Sequence, residues 1–246
     1  MLNMIKAELY KYAHRPYMYV TVGVISLMML SMMLLLNIGD GYGKVVFINN
    51  AMHYSFQIIL ILVLIFWEPF SEEYKYGSMK NLSTSNISRG KIFVGKFITQ
   101  CILGIIAYSI TFIVFVIGMS LIQNGVGYST EMYRNFLLRL IAMIPVLFGA
   151  LAIGNFCLVI IQHDNFAQMV YILLILGSED CIEYLSKTVW SKAVYIKTWL
   201  IMCQSKWING NNIPREAIVH GVLVGVITMM VFTLAGTVIF SKKEIK

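Results

Sequence analysis

Charge is what this chain has least of. Asp, Glu, Lys and Arg make up 13% of its 246 residues, against roughly 25% in an ordinary soluble domain. Apolar residues make up 59%, and the mean hydropathy is +0.76. A soluble protein of this length could not cover itself with the polar surface such a sequence offers. That excludes a soluble globular enzyme, a disordered chain and a nucleic-acid-binding domain, the last despite a net charge of +7. The charges present also avoid the middles of the long apolar runs, where an ionised side chain costs on the order of 2.5–3.5 kcal/mol. Arg139 lies close enough to the end of a run to snorkel. An ion- or proton-coupled carrier normally needs a carboxylate at that depth, so this class is disfavoured as well.

Patterns for catalysis and metal binding are missing too. Cys101, Cys157, Cys181 and Cys203 are scattered, with no C-x-x-C and no zinc-like spacing to His14, His53, His163 or His220. Cys101 and Cys157 read as small buried hydrophobes, while Cys181 and Cys203 share one non-spanning stretch that leaves a disulfide open. There is no H-E-x-x-H and no G-x-S-x-G. Gly90 to Phe97 follows G-x-x-x-x-G-K up to its last position, but Phe97 offers Mg²⁺ no hydroxyl, and a polar loop precedes the motif where a strand is needed. ATP is therefore not expected on this chain, nor any other cofactor or metal. His163-Asp164 reads as the polarity of a tight turn, and Glu179, Asp180 and Glu183 as a helix end in contact with water. The methionines of the first apolar run (Met28, Met29, Met32, Met33) suit adaptable apolar packing better than copper.

What the sequence does have is apolar length. Six blocks, 17–38, 51–67, 97–122, 136–161, 167–182 and 217–240, approach the roughly 20 residues that carry an α-helix across about 30 Å of hydrocarbon. The expected fold class is all-α integral membrane, one transmembrane domain of six transmembrane helices. The block 167–182 is the weakest, because Gly177, Glu179 and Asp180 interrupt it, so it reads as short, tilted or re-entrant. Residues 1–16 are amphipathic, with Leu2, Ile5, Leu9 and Tyr12 at helical spacing and Lys6, Glu8, Lys11 and Arg15 between them. They form an interfacial helix that Pro16 ends. Residues 183–216 mix apolar and aromatic positions, including Trp190, Trp199 and Trp207, and read as short external helices before the last span. Lys and Arg in 1–16 and 68–96, against Lys44 alone across the membrane, place both termini in the cytoplasm. The Ile-, Asn-, Lys- and Tyr-rich composition points to an AT-rich bacterial genome, so the expected location is a bacterial cell membrane.

The cytoplasmic loop 68–96 is the most informative segment. Glu72 and Glu73 follow the second span, Gly77-Ser78 breaks the chain, Leu82 lies within a polar stretch, and Ser88-Arg89 precedes Lys96 at the opening of the third span. By composition this is either a charged knob on which a soluble partner docks or a solvated loop whose cations only enforce topology. The pattern resembles the cytoplasmic loop of ABC-2-type transporter permeases, the membrane subunits of ATP-driven exporters. The resemblance extends over the chain, from the amphipathic N-terminal helix through six spans and external helices to the short basic tail. It implies a permease without catalytic residues, served by two copies of a separate nucleotide-binding ATPase subunit and paired with a second permease subunit as homodimer or heterodimer. Glu72, Glu73, Gly77, Ser78, Leu82, Ser88, Arg89 and Lys96 would then form the ATPase-coupling loop, with the helix at 2–15 beside it. Small six-span subunits of this kind resemble exporters of peptides, bacteriocins or toxins, which implies an amphipathic or hydrophobic substrate. The neutral amides Gln57, Gln100 and Asn155 are candidates for a pathway or a subunit interface, or for bonds between helices. The alternative readings are a non-transporting structural membrane subunit and a channel or secondary carrier.

Overall fold

A computed structural model describes residues 1–38, 43–45, 47, 48, 63, 67–77, 87–122, 124, 127–208 and 215–243, and all regular structure among them is helical. In chain order these are α1 (Leu2–Ala13), α2 (Pro16–Ile38), α3 (Glu68–Lys75), α4 (Arg89–Leu121), α5 (Thr130–Ile161), α6 (Asp164–Thr188), a 3-10 turn (Ser191–Ala193), α7 (Val194–Lys197), α8 (Ile201–Ile208) and α9 (Arg215–Lys242). The block 51–67 lies outside the described residues except at Val63 and Trp67.

Three helices, α4, α5 and α9, are long and apolar enough to cross a membrane, and Met18–Ser31 within α2 is a shorter apolar segment. At 1.5 Å per residue, α4 and α5 are each about 50 Å long. They exceed the roughly 30 Å of hydrocarbon, so they tilt or carry their ends into the headgroup region. Their outward faces are apolar and exposed, as at Ile113, Ile117, Leu138 and Ile141, and so are Leu27 and Met28 of α2 and Leu234 and Val238 of α9.

Three helices, α4, α6 and α8, differ from the sequence reading. α4 starts at Arg89, well before the apolar block 97–122, because the polar residues of its first turns find partners within the fold. α6 runs unbroken through Gly177, Glu179 and Asp180. Its acidic end is held by Lys197 of α7, which lies 3.0 Å from Glu179 and 3.5 Å from Glu183. The chain after α6 therefore doubles back alongside it. In α8, Ile201, Met202, Cys203 and Gln204 are all buried, and Ile201 packs at Gly149 of α5. That point lies about 18 Å in from the α5 C-terminus, so α8 dips well between the long helices.

The most extensive helix pairing is α5 with α9. A Cβ on Gly225 would lie 2.7 Å from both Pro145 C and Val146 N, so the two backbones touch there with no room for a side chain. Such close approach through small residues is how helices associate where no water drives them together. Contacts between distant parts of the chain collect many helix ends at one end of the molecule. There Glu8 of α1 meets Lys96 of α4, Trp67 meets Asp164 of α6, and Lys243 meets Val159 and Ile160 of α5. One core, containing Trp67, Phe70, Phe93 and Phe240, lies toward that end, and a smaller one, containing Met33, Phe115, Met119 and Phe136, lies toward the other.

Candidate functional site

The charged residues near Lys96 form a clasp. Lys96 is fully buried. Its ammonium donates to Glu8 Oε1 at 3.0 Å, Pro69 O at 2.9 Å and Glu73 Oε1 at 3.1 Å. An ammonium has three N–H donors, so all three are used, and the two carboxylates belong to α1 and α3. A buried cation is tolerated only with such complete pairing.

A second knot lies beside the first. Glu72 Oε2 accepts from the Tyr12 hydroxyl at 2.7 Å and faces Lys11 at 2.9 Å, while Glu72 Oε1 accepts from Arg15 at 2.6 Å. Burial pushes the Glu72 carboxyl up, but the hydrogen bonds from Arg15, Lys11 and Tyr12 outweigh it and hold its pKa at about 2. The Tyr12 phenol moves the other way, raised by its own burial and then by its bond to Glu72. Glu68, at the start of α3, is raised by burial and by the neighbouring Glu72 charge.

The clasp continues into the bundle. Trp67, wholly buried at the start of α3, donates from Nε1 to Asp164 Oδ1 at 3.1 Å and lies 5.6 Å, ring to ring, from Tyr171. Gln100, one turn along α4 from Lys96, exchanges two hydrogen bonds with Asn155 of α5 at 3.2 and 2.5 Å and donates to Trp67 O at 3.4 Å. Both amides are fully buried. α1, α3 and the first turns of α4 are thus cross-linked by charge, and the block is tied to α5 and α6 by amide and indole bonds.

The residues singled out in the sequence fall into three groups. Glu72, Glu73 and Lys96 come together, with the carboxylates turned inward onto α1 and Lys96. Gly77 closes α3 with φ +66, a left-handed conformation that glycine adopts without strain, and is exposed. Ser88 is the exposed N-cap of α4, and Arg89 donates to Lys243 O at 2.8 Å, which joins the start of α4 to the end of α9. Ser78, Leu82 and Gln57 lie outside the described residues. Gln100 and Asn155 pair with each other across α4 and α5. The stretch from Gly90 to Phe97 is helical, and Lys96 is engaged by carboxylates, so it does not have the shape of a phosphate-cradling loop.

Sequence reasoning placed Glu8, Lys11, Tyr12 and Arg15 in an interfacial helix and Asp164 in a turn, and assigned none of them, nor Trp67, to the site. For Glu8 a signal was present. It lies three residues after Ile5 and four before Tyr12, on the apolar stripe of α1, where a carboxyl needs a polar partner. Outside the clasp the block exposes Leu2, Asn3, Lys6, Ala7 and Tyr10 of α1, with Lys75 and Tyr76. The arrangement has no nucleophile paired with a base. Its chemistry is that of a charged joint.

A family model described as ABC-2 family transporter protein matches residues 4–178, which take in the whole clasp and most of α6. No curated protein matches the chain.

Proposed function

The chain belongs to the ABC-2 family of transporter proteins, and on that premise we propose that it is the membrane permease of an exporter driven by a separate ATPase, with the clasp as the joint through which ATPase movement enters the helices. The observation that carries this reading is the three-way bonding of Lys96 to Glu8, Pro69 and Glu73. A push on α1 or α3 is transmitted through it to the base of α4 without slack. The docking face is then the exposed side of the block, around Lys6, Tyr10, Lys75, Tyr76 and Gly77, and the inward carboxylates set its shape. In this reading the clasp end faces the cytoplasm of a bacterial cell, with both termini there. Six spans are completed by the block 51–67, and two such permeases, alike or different, enclose the path. The nearly uncharged spans favour an amphipathic or hydrophobic cargo, for which a peptide or toxin is our choice.

The test is co-purification from the native host in mild detergent, followed by measurement of vanadate-sensitive hydrolysis and of transport. We expect an ATPase at stoichiometric amount. Glu72→Lys with Glu73→Lys sets new ammoniums against Lys11, Arg15 and Lys96, and should leave hydrolysis running while transport stops. Normal transport by that variant sinks the joint, and a permease that purifies alone without hydrolysis sinks the exporter.

A further inference from the structure

A cavity of about 580 Å³ opens between α5, α6, α8 and α9. Ile153 and Phe156 of α5, Val170 and Leu174 of α6 and Phe232 of α9 wall it, and Leu200–Met202 at the start of α8 roof it. Ser178 brings the single hydroxyl among its described lining residues, and that hydroxyl already donates to Ile175 O at 3.2 Å. Water needs two to four polar partners in a buried site, so it gains nothing here. An apolar group that enters the cavity buries apolar wall and leaves no hydrogen bond unmet. The rim of the cavity carries Ile160, Phe166 and Leu174, apolar and exposed, on helices packed within a membrane protein. Once the protein is set in a bilayer, that apolar rim faces the hydrocarbon.

A charge lies beside one end of the cavity, next to its lining residue Ile160. The Lys243 N–H bonds to Ile239 O at 2.9 Å and so continues the helical pattern of α9. Phe232 and Lys243 are separated by about three turns, which returns them to the same face. The Lys243 ammonium rests on Val159 O at 3.2 Å and Ile160 O at 2.5 Å, beside the rim and at the level where the helices end. Asp164, the acid at the start of α6, is already bonded by Trp67 and Gln168.

We propose that this cavity is a phospholipid site, holding one acyl chain of an anionic bilayer lipid between α5 and α6, with the lipid phosphate beside Lys243. The chain reaches the underside of α8 and fills the space on which that inserted helix rests. The assignment depends on membrane embedding and not on transport, so its failure leaves the exporter reading standing.

The test uses purified wild-type protein, with any subunit that accompanies it, in vesicles of phosphatidylglycerol or of phosphatidylcholine carrying a diazirine near the acyl-chain end. After irradiation the labelled residues are mapped by mass spectrometry. Label should appear on Ile153, Cys157 and Met202, about fivefold more strongly from phosphatidylglycerol, the preference that one Lys near an anionic headgroup supports. Lys243→Gln should erase that preference, and Ile153→Trp should block the labelling of Cys157. Label confined to outward residues such as Leu223 and Leu234 overturns the site. Equal labelling from the two lipids overturns the anionic assignment. A non-lipid molecule found in the cavity after extraction assigns the volume to another ligand and overturns the proposal. The wild-type maps decide the matter even if the tryptophan variant does not fold.

Discussion

Lys96 is a cation with no water to retreat to, and its worth is best read by removal. Lys96→Met leaves Glu8 and Glu73 facing each other in a buried site, a loss of about 3–5 kcal/mol, visible as a lower melting temperature in detergent. Adding Glu8→Gln and Glu73→Gln removes the stranded charges and should restore most of that melting temperature. If the triple variant melts as low as the single one, the three groups are not one unit. Glu72 supplies a pH test. Its pKa is depressed to about 2, so its stabilising contribution is complete above the ordinary carboxylate range and is lost as pH falls from there toward 2. The melting difference between wild type and Glu72→Gln should therefore stay constant from pH 7 to 5 and shrink below about pH 4.5. A difference that widens on acidification contradicts the assignment.

Between helices, tolerance should follow the space at each backbone. Gly225→Ala drives a methyl into the Pro145–Val146 backbone and should cost roughly 1–3 kcal/mol, as overpacking does. Gly23→Ala on α2, where nothing lies near the new Cβ, should be neutral or slightly stabilising. Equal melting temperatures for the two variants would mean that α5 and α9 do not touch as described. The long helices themselves were legible, because Leu, Ile, Val and Phe dominate their runs whatever their neighbours are. The first turns of α4 were not, since Arg89 and Lys96 read as loop until Lys243, Glu8 and Glu73 are seen to receive them. The clasp was not legible as a unit, although the sequence singled out three of its members. Glu72, Glu73 and Lys96 lie close together in the chain, whereas Glu8, Tyr12 and Arg15 join them from a separate helix. α8 was the least legible, because a buried run as short as Ile201–Gln204 looks the same whether it lies on a membrane or inside one.

At the scale of the molecule, α1, α2 and α3 pack on α4, while α6, α8 and α9 pack on α5. The two groups meet where α4 lies on α9 and α5 and where α3 lies on α6. Both α1 and Lys243, at the end of α9, lie at the clasp end, so tags placed at the two termini should be reached by protease from the same side of sealed vesicles. Cleavage of the two tags from opposite sides would rule out this topology. The clasp also bears on how the protein is made. Glu8 and Glu73 precede Lys96 in the chain, so both counter-charges have left the ribosome before the cation needs them. Asn155 follows Gln100 by an interval of about 3–11 s at ordinary rates of synthesis. The joint can therefore close on a nascent chain that holds only the first part of the bundle, while the amide on α4 waits in the membrane for its partner.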